Sequence, residues 1–159
     1  MIWPHKLLSD IFREQFLKLY HRHEVVVVLG DDGFGKSTQI PQWILYDEYP
    51  DPSGSEIACT QPSCDAAMSL AKQVAAEVDV SVGELVGYST LFQNKISPST
   101  RLKFMSDRTL FREALPIDNL KKYSCIVLDE TQEETVWTDV LIALLKSRVI
   151  PTCETISFS

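Results

Sequence analysis

No apolar run in the 159 residues approaches the ~18 that a membrane-spanning helix needs; the longest are 25–29 and 140–145. Pro4 and His5 interrupt the N-terminus before an apolar stretch can form, and no small-residue cleavage site follows, so no secretory signal is expected. Cations are short as well: 15 Lys plus Arg face 22 Asp plus Glu, a net charge of −7. A chain with that balance does not hold nucleic acid by overall charge, and any such contact must come from local groups. The four cysteines, Cys59, Cys64, Cys125 and Cys153, form no C-x-x-C pair, and the three histidines, His5, His21 and His23, lie far from them in sequence. No zinc finger or ribbon is expected, and Cys59 and Cys125, set in apolar runs, read as reduced structural thiols. With 45% hydrophobic and 23% charged residues the chain is an ordinary globular one, the size of one domain, which excludes disordered and fibrous classes.

What the chain does have is alternation of two periods. Leu8, Phe12, Phe16, Leu19 and Tyr20 recur at helical spacing and predict an amphipathic helix over 7–22. Val25, Val26, Val27, Val28 and Leu29 follow without polar alternation, as in a parallel strand buried on both faces. Further strands are predicted at 56–60, 85–88, 102–105 and 123–128, and helices at 36–46, 65–78, 107–115 and 137–146, with Asp65 and Asp107 as N-caps. Residues 46–55, rich in Pro, Asp and Gly, predict a surface loop. Strands alternating with helices imply an α/β fold: an open, mostly parallel sheet with flanking helices and a ligand site at the carboxyl ends of the strands.

Two motifs carry chemistry. Gly30-Asp31-Asp32-Gly33-Phe34-Gly35-Lys36-Ser37 matches G-x-x-x-x-G-K-[ST] between a predicted strand and a predicted helix. Its glycines let successive N–H groups curl around phosphate oxygens, Lys36 reaches the β and γ phosphates, Ser37 offers a hydroxyl to Mg²⁺, and Thr38 continues into the helix. The second motif is the apolar strand at 123–128 ending in Asp129 and Glu130. Extended alternation would turn Asp129 toward the metal and Glu130 toward the attacking water. Asn94-Lys95 is followed by Ile96-Ser97, not by the pattern that reads guanine, so guanine specificity has no support, and the two motifs together predict a magnesium-nucleotide site.

The strings Lys36-Ser37-Thr38-Gln39-Ile40-Pro41-Gln42, Cys59-Thr60-Gln61-Pro62, Ala66-Ala67-Met68-Ser69, and Asp129-Glu130 with Thr138-Asp139-Val140 resemble the first RecA-like domain of DEAH-box RNA helicases. The likeness is greatest to the subgroup acting in spliceosome disassembly and ribosome assembly. Val86-Gly87-Tyr88-Ser89, Leu102-Lys103-Phe104-Met105 and Leu120-Lys121-Lys122-Tyr123-Ser124 fit that subgroup in order and spacing. The resemblance implies a P-loop NTPase fold, with a flanking helix over 1–22, the ATP-binding domain over 23–146 and a divergent, truncated tail over 147–159. It implies ATP hydrolysis, a reaction on an acid anhydride, coupled to 3′ to 5′ movement on RNA. Catalysis would fall to Lys36 and Glu130, metal binding to Ser37 and Asp129, and RNA contact to Thr60, Gln61, Pro62, Ser106 and Arg108. A glycine-rich-patch protein is the implied partner and the nucleus the implied compartment, with no membrane role.

The departures from the family are concentrated. Asp31, Asp32 and Phe34 replace its Glu, Thr and Ser, adding one acid beside the triphosphate at a cost of roughly 2 kcal/mol before salt screening. Gln132 replaces the histidine that couples nucleotide state to RNA. Ser63, Cys64 and Leu91 stand where the family has arginines, and Arg108 where it has glycine. The expected RNA groove is therefore weak. The family's next strand, second domain and arginine fingers have no counterpart after Lys146, so hydrolysis is expected to be slow and unwinding absent. Two alternative readings are a non-catalytic nucleotide-binding interaction module and a truncated gene product without function.

Overall fold

The structure, a computed structural model, describes residues 10–30, 35–49, 54–133 and 135–149. Five strands form one sheet: β1 (Glu56–Gln61), β2 (Val86–Ser89), β3 (Asn94–Lys95), β4 (Leu102–Ser106) and β5 (Tyr123–Leu128), in the order β3-β2-β4-β1-β5. All neighbours are parallel except β2 and β3, which close an antiparallel hairpin. The expected α/β class with flanking helices is therefore present, with a mixed rather than uniform sheet. That hairpin requires Gly87, because a Cβ there would lie 2.4 Å from the Lys95 carbonyl oxygen.

Pleating sends alternate side chains to opposite faces, and each face has its own core. Ile57 and Cys59 of β1 and Leu102 and Phe104 of β4 pack with Trp43, Ile44 and Val74 under α1 (Asp10–Arg22), α2 (Lys36–Glu48) and α3 (Cys64–Glu77). Phe12 and Phe16 lay their rings 6.1 and 5.9 Å from that of Trp43, which fixes α1 on α2. On the other face Ala58 and Met105 pack with Leu110, Leu141 and Leu145 of α4 (Asp107–Ala114) and α5 (Val136–Val149).

Three expectations are corrected. Val25–Leu29 forms no strand: β5 ends the sheet with a free edge, yet this run makes no ladder with it, and Leu29 is 65% exposed. Val26 and Val28 still pack against the first core, so hydrophobic burial is partly satisfied without backbone pairing. The N-caps are Ser63 and Ser106, one residue before each helix, whose extended backbones let their hydroxyls accept from the Ala66 and Thr109 amides. Asp65 and Asp107 fall in the first turns instead, where a carboxylate favours the helix dipole. Residues 46–48 belong to α2 rather than to a loop, while 50–53 lie outside the described residues. Helix α5 continues through residues 147–149, and the remaining tail, with Cys153, lies outside the described residues. Among the described residues no helix is long and apolar enough to cross a membrane.

Candidate functional site

Helix α2 starts from Gly35, whose backbone is left-handed (φ 76°). Its carbonyl accepts from the Gln39 amide at 2.8 Å and from the Thr38 amide and hydroxyl at 3.2 Å, so Thr38 is committed to capping and is buried. Lys36 folds back, and its Nζ donates to the Gly30 carbonyl. Lys36 and Ser37 are half-buried at the N-terminus of α2, where the helix dipole favours an anion. Asp31, Asp32, Gly33 and Phe34 lie outside the described residues. Farther along α2, Gln39 and Gln42 donate to the Glu77 carboxylate at 3.5 and 2.5 Å, locking the helix to α3.

At the carboxyl end of β5 the strand stops at Leu128, and the expected alternation of the two acids does not apply. Glu130 adopts a left-handed backbone (φ 53°), uncommon for a residue with a Cβ, so its direction is set by a turn rather than by a pleat. Each acid is held by a carboxamide. Gln61 Nε2 donates to Asp129 Oδ2 at 2.6 Å, and Gln132 Nε2 donates to the Glu130 carboxylate from the short 3-10 turn Thr131–Glu133.

The five residues assigned to RNA are placed differently from one another. Thr60, Gln61 and Ser106 are buried; Gln61 is engaged by Asp129, and Ser106 caps α4 while its hydroxyl meets that of Thr109 at 2.8 Å. Pro62 is half-buried, and only Arg108 is exposed, its guanidinium 5.2 Å over the Trp137 ring. Trp137 in turn meets Phe111 at 5.6 Å, so Arg108 is part of an aromatic stack joining α4 to α5. Asp107, next in sequence, is 2% exposed and accepts from the Thr138 hydroxyl at 2.5 Å, a buried link that the spacing of the sequence did not reveal.

Between these groups lies Cys59, whose thiol is pushed well above its usual range by burial, with the carboxylate of Asp129, then Cys125 and Asp107 adding to the effect. It is an inert core thiol. A nucleotide-bound Mg²⁺ takes most of its ligands from phosphates and water and only one or two from protein. Among the described residues no three His, Cys, Asp or Glu side chains converge to hold a metal. No protein-family model matches the chain.

Proposed function

We propose that the chain binds magnesium-ATP at Gly30–Thr38 and acts as the ATP-binding domain of a DEAH-box-like RNA helicase. The observation that carries this reading is the Lys36 ammonium turned back onto the Gly30 carbonyl beside the N-terminus of α2. A cation held there, at the positive end of a helix and behind a glycine, suits a chain of phosphate oxygens and little else. Ser37 and Asp129 would hold the Mg²⁺, which when bound neutralises charge on the phosphates. Glu130 would orient the attacking water, and Lys36 would stabilise charge on the phosphate oxygens. Hydrolysis is slow, because Gln132 already occupies part of the Glu130 carboxylate. RNA binding is weak, since three of the five residues assigned to it are buried.

Calorimetry tests this directly: wild-type protein gives magnesium-dependent heat with ATP, and Lys36→Ala gives none. No heat and no melting shift at millimolar ATP would remove the reading. The Gln132–Glu130 hydrogen bond favours a second reading, a non-catalytic nucleotide-binding module. Phosphate release separates the two. A slow rate abolished by Glu130→Gln supports the hydrolase, whereas nucleotide binding with no release supports the module.

A further inference from the structure

Gln61 is the one residue of the supposed RNA set whose side chain reaches the nucleotide side. It is the last residue of β1, 4% exposed, and its carboxamide donates to Asp129 across the boundary between β1 and β5. The register explains the reach. Thr60 pairs with Leu128, so Gln61 and Asp129 are the next residues of two adjacent parallel strands and stand at the same level.

We infer that Gln61 is a positioning residue for Asp129: it holds one carboxylate oxygen, Oδ2, and leaves Oδ1 as the oxygen offered to a divalent cation. The inference rests on the magnesium-nucleotide reading and assigns Gln61 to that site rather than to an RNA groove. Three physical points support it. An uncharged donor fixes the carboxylate rotamer without cancelling its charge, unlike lysine or arginine. The amide is nearly removed from water, so its bond to a carboxylate is stronger than the same contact on the surface. Both partners are anchored at the ends of adjacent strands, so the pair moves only if β1 and β5 slide relative to each other.

The test is a magnesium titration of fluorescent ATP-analogue binding by wild type, Gln61→Met, Asp129→Asn and the double variant. Methionine keeps the volume of glutamine and removes the donor. For Gln61→Met the magnesium midpoint rises about 10- to 100-fold, while nucleotide affinity in EDTA is unchanged. In the Asp129→Asn background the same change adds nothing. A shift in EDTA of the same size as in magnesium, or a shift that persists in the Asp129→Asn background, would overturn the inference by showing a general structural effect; so would an unchanged midpoint. If the wild type ignores nucleotide under every condition, the functional reading fails, and the Gln61 side-chain amide resonance still decides the pair. A resonance that Asp129→Asn shifts supports the positioning role, and one that it leaves unmoved overturns it.

Discussion

The two sides of the sheet are built to different standards. In β1, β2 and β4 nearly every residue is buried, and each strand of this trio is paired along its length. On the other side β5 is the edge strand, with only Tyr123 buried, and Val25–Leu29 lies beyond it in sequence logic yet enters no ladder. Strand composition is more extreme in the second region than in the first, so composition is not what distinguishes them. The lesson is that a β-branched run becomes a strand only where a neighbour supplies hydrogen bonds on its edges and cover on its faces.

The contrast breaks most visibly under truncation of core side chains. Phe104→Ala, on β4 and fully buried, is expected to cost about 3–5 kcal/mol of unfolding free energy, whereas Leu29→Ala should cost well under about 1 kcal/mol. Urea denaturation followed by fluorescence measures both. Equal losses would mean that 25–29 is as deeply packed as the central strands. Next in size is Thr138→Val, which leaves the buried Asp107 carboxylate without its hydroxyl partner and should cost about 1–3 kcal/mol.

The contrast also marks what could be read from the residues beforehand. The residue patterns at 56–60, 85–88, 102–105 and 123–128 located four strands within a residue, because the polar and glycine positions that bound them are local signals. The lone antiparallel pair of Asn94 and Lys95 has no such signal: it rests on Gly87 allowing close approach. Val25–Leu29 failed for the opposite reason, since its local signal was strong and the missing term was a partner. At the site, Lys36 and Asp129 were legible by motif, but the hydrogen bonds of Gln61 and Gln132 depend on where β1 and the turn after β5 come together. The shift of the caps from Asp65 and Asp107 to Ser63 and Ser106 shows the limit of placing a cap by residue type alone.

Two smaller effects sharpen the comparison. Ser106→Ala removes the α4 cap and should cost about 1 kcal/mol, against a few tenths for Asp65→Ala, as measured by thermal unfolding. At the β5 end, burial would raise the Glu113 carboxyl, but hydrogen bonds from Lys122 at 2.8 Å and Tyr123 at 2.6 Å outweigh it and hold the group below its usual value. A lowered carboxyl contributes stability that is present above its unfolded pKa and lost as pH falls through the folded one. Glu113→Gln should therefore flatten the acid limb of the stability curve between about pH 5 and pH 3 and leave its slope above pH 6 unchanged. An unchanged acid limb would show that this carboxylate does not secure the start of β5.

Hydrogen exchange with and without magnesium-ATP bears most directly on the proposal that Gly30–Thr38 binds the nucleotide. The account predicts slow exchange at 57–60 and 102–105 in both conditions, fast exchange at 25–29 in the free protein, and new protection at 35–39 when magnesium-ATP is added. Lys36→Ala should show the same free-protein pattern and none of the new protection. Protection that appears equally in the variant, or that appears on β2 and β4 instead, would contradict the account.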